Sequence, residues 1–258
     1  MSWWGKAVGG TFGFMMGGPL GALMGITLGN YFDGGLSGGD GSLGLGSTER
    51  VQSIFFTTTF ALMGYIAKAD GKVTRDEIAM AEHVMNQMRL NSQQRKVAIN
   101  LFNEGKKDGF PVHEVLAQFK REIFRRRNLV QMFLEITIST AFADGNLDSR
   151  EQSVLEDIAK DLGYSQRQFN ELLGRLSGQA HFVNQGSSAD KLEAAFALLG
   201  VGSNVSDVEL KKAYRKLMNQ NHPDKLVAKG LPEEMLDIAT QKTQGIKAAY
   251  ELIKNHRK

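Results

Sequence analysis

The chain has 258 residues, of which 42% are hydrophobic and 23% are charged, and its formal net charge is +3. This balance is that of an ordinary globular protein, and the lack of cysteine excludes disulfides, thiol catalysis and thiolate metal sites. Four prolines and long stretches of helical periodicity predict an all-α protein. Residues 190–258 contain 12 Lys/Arg and 9 Asp/Glu, so the whole basic excess lies in this last segment. The excess is too small to indicate a nucleic-acid partner, and we expect none.

The first 33 residues contain a stretch that is long enough to cross a membrane. Residues 7–32 carry no charge, and a helix needs about 20 apolar residues to span a bilayer. The alternative is a secretory signal peptide, whose apolar region is shorter, roughly 7–15 residues. The length therefore favours an uncleaved transmembrane anchor over residues 1–33. Aromatic residues at both ends of the stretch suit the two membrane interfaces; they are Trp3, Trp4, Tyr31 and Phe32.

Within this stretch, glycine recurs at every fourth position, which places the glycines along one side of a helix. Such a stripe lets two helix backbones approach closely in lipid, so it predicts a homodimer through the transmembrane helix. The alternative is that glycine is simply tolerated in membrane helices. The members of the stripe are Gly9, Gly13, Gly17, Gly21, Gly25 and Gly29.

A glycine-rich segment, residues 34–47, predicts a flexible linker after the anchor. Residues 48–176, the middle domain, follow with a helical pattern and an internal repeat. The sequence A-D-G-x-Φ-x-x-x-E occurs at residues 69–77 and again at 143–151. In each copy the glycine can end one helix and a polar residue can cap the next. The two corners predict a two-fold repeated helical bundle.

The acidic residues of these corners raise the alternative of calcium binding. Asp144, Asn146 and Asp148 have the alternating spacing of calcium ligands. An EF-hand loop also needs glycine at its sixth position and glutamate at its twelfth, where this chain has Ser149 and Leu155. We therefore expect helix capping here and no metal site.

The corners resemble those of the TerB-like helical domain. This resemblance implies a link to stress responses and, as a lesser alternative, metal binding at Asp70, Asp144 and Asp148. An envelope-stress sensor that binds an ion, a ligand or a partner through this domain is therefore the alternative function. The same domain contains a basic run, KREIFRRR, at residues 120–127. We interpret this run as a solvated helix face, with contact to anionic lipid as the alternative.

After a second predicted linker, residues 177–189, three helical patterns follow in residues 190–258, the carboxyl-terminal domain. The apolar positions of each pattern fall on one helix face. Ser206 is a good N-cap for the second helix, and Pro232 suits the first turn of the third. Two long helices joined by a loop predict an antiparallel hairpin with the first helix packed alongside. The loop contains a tripeptide, the HPD segment, which is His222, Pro223 and Asp224.

The second of these helices carries four cations on the side opposite its apolar stripe; they are Lys211, Lys212, Arg215 and Lys216. Like charges at i, i+4 are mildly unfavourable within a helix, so this basic face is suited to an acidic partner. The alternative is a solvated face. Taken alone, the HPD segment is explained by a helix end and a turn. His222 also has no second histidine or carboxylate at the spacing of a metal site or a catalytic base.

Three stretches together resemble the J domain of DnaJ-type co-chaperones; they are AFALLGV (195–201), ELKKAYRKLMNQNHPDK (209–225) and IKAAYELI (246–253). With the anchor and the TerB-like domain, the whole chain is similar to the membrane-anchored DnaJ-like proteins of Gram-negative bacteria. The resemblance implies docking on an ATP-bound DnaK-type chaperone and acceleration of its ATP hydrolysis. The HPD segment matches the family's essential loop, and the four cations match its basic docking helix.

The resemblance also implies that this chain is not an enzyme and holds no cofactor, because ATP and its metal belong to the partner. A DnaK-type partner is cytosolic. The implied location is therefore the inner membrane, with a periplasmic amino terminus and cytoplasmic carboxyl-terminal domains. Lys6, before the anchor, favours the opposite orientation by the charge rule. The loop at residues 225–231 is long for a J domain, and zinc-binding cysteines are lacking, so general DnaJ-like client binding is not expected.

Overall fold

A computed structural model of the chain describes residues 18–25, 47–69, 75–123, 125–141, 147–183 and 188–257. All regular structure within these residues is helical, which confirms the all-α prediction. The helices are α1 (18–25), α2 (Ser47–Ala67), α3 (Arg75–Gln87), α4 (Ser92–Gly105), α5 (Val112–Glu122), α6 (Arg127–Ala141), α7 (Ser149–Asp161), α8 (Gln166–Val183), α9 (Ser188–Leu199), α10 (Asp207–Asn221), α11 (Pro223–Val227) and α12 (Leu236–His256).

Helix α2 runs through the core of the middle domain. Its Phe55 is fully buried and meets the ring of Phe133 from α6 edge to face, with ring centroids 6.0 Å apart. Phe119 of α5 packs against the same two rings. Thr59 is also fully buried, and its hydroxyl donates to the Phe55 carbonyl at 2.8 Å. This bond satisfies a polar group that burial would otherwise penalise. Aromatic packing therefore joins α2, α5 and α6.

Helices α2 and α4 approach each other closely enough to touch backbone to backbone. A Cβ atom at Gly64 would lie 1.9 Å from the Phe102 carbonyl oxygen. A Cβ atom at Gly105 would lie 1.8 Å from the Ala61 carbonyl oxygen. The contact therefore requires glycine on both helices, and glycine is tolerated inside these helices for this packing reason.

The second of the two predicted corners is capped as expected. Asp148 accepts a hydrogen bond from the Arg150 amide at 2.7 Å, and Glu151 accepts one from the Asp148 amide at 3.1 Å. This is a reciprocal capping box at the start of α7. Residues 70–74 and 142–146, which hold about half of the two repeats, lie outside the described residues.

The expectation of a loose linker over residues 177–189 is wrong wherever the structure describes this segment. Helix α8 continues to Val183, and α9 begins at Ser188. Phe182, near the end of α8, packs against the same apolar cluster as Ala195 of α9. Burial of these side chains keeps the segment helical despite its polar, glycine-containing sequence. Residues 184–187 lie outside the described residues.

Most of the predicted anchor lies outside the described residues. So do the linker at 34–46 and four glycines of the stripe, at positions 9, 13, 17 and 29. Among the described residues, no helix is both long and apolar enough to cross a membrane. Helix α1 places Leu20 and Leu23 in the core of the middle domain, and the Leu20 amide donates to Gln118 Oε1 at 3.0 Å. Contact with protein removes these leucines from water, and removal of apolar side chains from water is favourable whether protein or lipid covers them. Gly21 and Gly25 are half-buried in this helix.

Candidate functional site

Helices α9, α10 and α12 form the predicted three-helix unit around an apolar core of their own. Leu210 and Leu217 of α10 are buried against Ile246 and Ile253 of α12 in this core. The rings of Tyr214 and Tyr250 stack with centroids 4.3 Å apart. The two long helices therefore make the expected hairpin, and α9 packs alongside it.

The start of α10 is fixed by hydrogen bonds. Ser206 caps α10, as the sequence predicted, and forms a reciprocal capping box with Glu209. The hydrogen bonds that Glu209 accepts from the side chain and backbone of Ser206 lower the pKa of its carboxyl group. From the other end of the unit, Arg257 donates to Asp207 at 2.6 Å and to the Val205 carbonyl at 2.7 Å. The end of α12 is thereby tied to the beginning of α10.

The HPD segment begins where α10 ends. Asn221, the last residue of α10, is buried, and its side chain donates to the Leu217 carbonyl at 2.9 Å. His222 is extended, with φ −61° and ψ 125°, and the chain turns there into a second helix, α11. Pro223 occupies the first turn of α11, where its fixed φ suits a helix and its missing N–H is not needed. The tripeptide is therefore a rigid joint between two helices.

The side chains of His222 and Asp224 differ in their exposure to solvent. The Asp224 carboxylate is 89% exposed and the His222 side chain is 46% exposed. His222 Nδ1 is itself buried and has no hydrogen-bond partner among the described residues. It lies 3.9 Å from Asp224 Oδ2, too far for a hydrogen bond. The carboxylate of Asp224 is thus available to a positively charged partner.

The predicted basic face lies on α10, and the HPD segment begins where that helix ends. The four cations of α10 are all exposed; they are Lys211, Lys212, Arg215 and Lys216. This stretch of the chain therefore presents four exposed positive charges on α10 and one exposed carboxylate, that of Asp224 in α11. A surface of this kind attracts an acidic partner and fixes its orientation.

The expectation of a loop over residues 225–231 is partly wrong, because its first residues are helical. Pro223–Val227 is helical, and Gly230 then takes a φ of +95°. The Leu231 amide returns to the Leu226 carbonyl at 2.9 Å, which closes the turn. The third long helix does not begin at Pro232, because a 3-10 turn at Glu233–Met235 precedes it. The sequence signal for α11 was Pro223 at a helix start with Asp224 in the first turn.

Sequence reasoning missed a contact between the two domains. Four residues after the HPD segment are fully buried in the core of the middle domain and not in that of their own unit; they are Leu226, Leu231, Met235 and Ala239. The available signal was the presence of two of them, Leu226 and Leu231, in a segment interpreted as a loop. Their burial joins the carboxyl-terminal domain to the middle domain.

Polar groups surround this apolar contact. Glu135 of α6 and Lys242 of α12 form a buried ion pair. Arg89 pairs with Asp237, Nε to Oδ2, at 2.7 Å. The basic run at 120–127 also differs in part from the expected solvated face, because its Arg126 Nη1 donates to the Lys229 carbonyl at 2.5 Å.

The metal alternative gains no support from the described residues, which contain no group of three or more His, Asp or Glu side chains placed to hold an ion. Asp148 is engaged as a helix cap. Asp70 and Asp144 lie outside the described residues.

Three family profiles match the chain in succession. Residues 1–39 match the co-chaperone DjlA transmembrane domain, residues 57–173 match the tellurite resistance protein TerB, and residues 194–258 match the DnaJ domain. The first match supports a membrane anchor at the amino terminus, and the other two support the two resemblances found in the sequence. No solved structure gives a significant match.

Several proteins that align with the chain over almost its whole length have the same name. A co-chaperone protein DjlA of Shewanella oneidensis is 47% identical over all of this chain and 99% of its own length. The co-chaperone protein DjlA of Photobacterium profundum is 43% identical over 98% of this chain and 99% of its own. The co-chaperone protein DjlA of Escherichia coli K12 is 40% identical over all of this chain and 99% of its own length. The chain therefore belongs to the DjlA family of J-domain co-chaperones.

Proposed function

We propose that this chain docks on a DnaK-type chaperone through the HPD segment and the basic face of α10, and that docking accelerates ATP hydrolysis by that chaperone. The observation that carries the proposal is the 89% exposure of Asp224 at the end of a helix with four exposed cations. The partner surface that fits is acidic, with a cation placed to meet Asp224.

The physical roles divide between the two parts of the surface. The cations of α10 raise the rate of encounter with an acidic partner and fix its orientation. Pro223 holds the joint between α10 and α11 rigid, so little conformational entropy is lost when Asp224 binds. ATP, its metal and the hydrolytic chemistry belong to the partner, and this chain acts as a regulator without a catalytic site of its own.

The proposed location follows from the partner. A chaperone of the DnaK type is cytosolic, so the carboxyl-terminal domains face the cytoplasm and the amino terminus faces the periplasm across the inner membrane. Protease protection in spheroplasts tests this orientation. A carboxyl terminus that is cleaved from the periplasmic side would contradict both the orientation and the co-chaperone proposal.

The direct test of function is single-turnover ATP hydrolysis by a purified DnaK-type chaperone, with the full chain reconstituted in lipid nanodiscs. We expect the wild type to accelerate hydrolysis and His222→Gln to abolish the acceleration. His256→Gln is the matched control, since His256 is an exposed histidine at the end of α12, away from the HPD segment. Equal acceleration by the wild type and His222→Gln would overturn the assignment of the HPD segment.

The glycine stripe supports a homodimer through the anchor. Replacing Gly17 and Gly21 with leucine blocks close helix approach, so we expect cross-linking in membranes to be lost. Ala22→Leu is the control, because it introduces a leucine into the same segment at a position off the stripe. Cross-linking that persists in the Gly17→Leu/Gly21→Leu variant would refute the stripe as the interface.

A further inference from the structure

The start of α6 and the residue just before it contact the chain on both sides of the HPD segment. Asn128 Nδ2 donates to the carbonyl of Gln220, two residues before His222, at 3.2 Å. Arg126 Nη1 donates to the carbonyl of Lys229, five residues after Asp224, at 2.5 Å. Two residues of the middle domain, two positions apart in the chain, therefore hold the backbone before and after the HPD segment.

The segment after the HPD segment, residues 225–231, leaves room for this contact because position 230 is a glycine. A Cβ atom at Gly230 would lie 2.6 Å from Arg126 Nη1 and 2.8 Å from Val51 Cγ1, and the φ of +95° at this position also disfavours other residues. Gln52 Nε2 donates to the Leu231 carbonyl at 3.4 Å. Only a glycine at 230 thus allows the middle domain to approach the flank this closely.

Without the middle domain, the flank would have little to stabilise it. Helix α11 has five residues, far fewer than an isolated helix needs in water. Its Leu226 and the following Leu231 are fully buried, and both lie in the core of the middle domain. The geometry of the HPD segment therefore depends on contacts that its own three-helix unit does not supply.

The contact holds the segment without covering its tip. Asp224 remains 89% exposed. The hydrogen bonds of Arg126 and Asn128 are made to backbone carbonyls on the flanks, so they restrain the path of the chain and leave the HPD side chains to a partner.

We propose that Arg126 and Asn128 are positioning residues, which hold the HPD segment in the conformation that docks on the partner chaperone. This inference rests on the proposed function. A segment that occupies its docking conformation only part of the time binds with an apparent affinity reduced by that fraction. Loss of the restraint should therefore raise the concentration of co-chaperone needed for half-maximal stimulation and leave the maximal stimulated rate unchanged.

The test compares variants of the full chain in nanodiscs by single-turnover ATP hydrolysis over a range of co-chaperone concentrations. We expect Arg126→Met and Asn128→Ala each to raise the half-saturating concentration roughly three- to tenfold, the effect of one net hydrogen bond. Arg126→Lys keeps one donor and should restore most of the loss. Arg121→Met is the matched control, because Arg121 is an exposed cation of the same basic run.

Hydrogen exchange of backbone amides in residues 222–231 provides a second readout, which does not depend on the chaperone. Faster exchange there is expected in Arg126→Met and Asn128→Ala, with the first three turns of α10, residues 207–217, unchanged. If exchange stays at the wild-type rate in both variants, the restraint does not exist. If exchange becomes faster but the half-saturating concentration does not change, or only the maximal rate falls, the positioning role is refuted.

The two readouts separate this inference from the proposed function. A wild-type chain that fails to stimulate hydrolysis contradicts the proposed function, whereas hydrogen exchange still decides whether the restraint exists. Gly230→Ala adds an independent variant, expected to speed exchange in the same residues. Its control is Gly245→Ala, since a Cβ atom at Gly245 of α12 meets nothing within 4 Å.

Discussion

Glu135 and Lys242 form an ion pair between the middle domain and the carboxyl-terminal domain, and their side chains are only 5% and 11% exposed. Gln131 also donates to the Glu135 carboxylate at 2.9 Å. Removing two charges from water costs free energy that their attraction offsets only in part, whereas removing one partner leaves an uncompensated buried charge. The pair therefore penalises any arrangement of the two domains that separates these residues.

The first prediction concerns this pair. Lys242→Met should lower the free energy of unfolding by about 3–5 kcal/mol, because it leaves the buried Glu135 charge without an opposite charge beside it. The double variant Glu135→Leu/Lys242→Met should recover most of that loss, since an apolar pair fills the space without a desolvation penalty. Urea denaturation of the full chain in detergent measures both. Equal destabilisation in the single and double variants would contradict the pair as the source of the effect.

The second prediction concerns the close contact of α2 and α4. Gly64→Ala and Gly105→Ala should each lower the free energy of unfolding by about 1–3 kcal/mol or more, because the added Cβ forces the two backbones apart. Gly174→Ala is the control: a Cβ there meets nothing within 4 Å, and alanine should stabilise helix α8 by about 0.5–1 kcal/mol. Thermal or urea unfolding that shows the same sign at all three positions would refute this packing.

Local features of the fold could be predicted from sequence because their causes lie within a few residues. Ser206 and Glu209 cap α10, and Asp148 and Glu151 cap α7, through hydrogen bonds that span three residues. The apolar stripes of α10 and α12 were equally visible, since helical periodicity shows which face is buried.

The contacts between the domains could not be predicted because they depend on the tertiary structure. Glu135 and Lys242 are 107 residues apart in the chain, and neither is distinguished locally from an exposed charge. Leu226 and Leu231 lie in a stretch without helical periodicity, so their apolar character gave a signal for burial but did not indicate which domain they contact. Arg126 belongs to a basic run whose other members are mostly exposed, and only its hydrogen bond to Lys229 distinguishes it.

The third prediction concerns His113, whose Nδ1 lies 2.6 Å from Asp161 Oδ2. The hydrogen bond to Asp161 and the charge of that carboxylate raise the pKa of His113 above its ordinary value of 6.5. A raised pKa means that the protonated form is favoured in the folded state. The stability from this pair is therefore complete below the unfolded pKa and is lost as the pH rises through the folded value.

NMR titration of the His113 ring measures this shift directly. Asp161→Asn should return the pKa of His113 towards 6.5, because the amide carries no charge. His83 is an exposed histidine in α3 and serves as an internal reference in the same spectra. An unchanged pKa of His113 in Asp161→Asn would contradict the assignment of the shift to this pair.

The last prediction concerns the basic face of α10. Lys212→Glu and Arg215→Glu should each slow association with a DnaK-type chaperone, by roughly tenfold at low ionic strength, because they reverse a charge on the surface that attracts an acidic partner. The difference from wild type should shrink as salt is added, since salt screens exposed charges. Lys254→Glu makes the same charge change on an exposed position of α12, so it controls for net charge. Stopped-flow association rates at low and high salt distinguish an effect of the basic face from an effect of net charge. If Lys254→Glu slows association as much as Lys212→Glu, the total charge of the chain is the cause and the basic face is not.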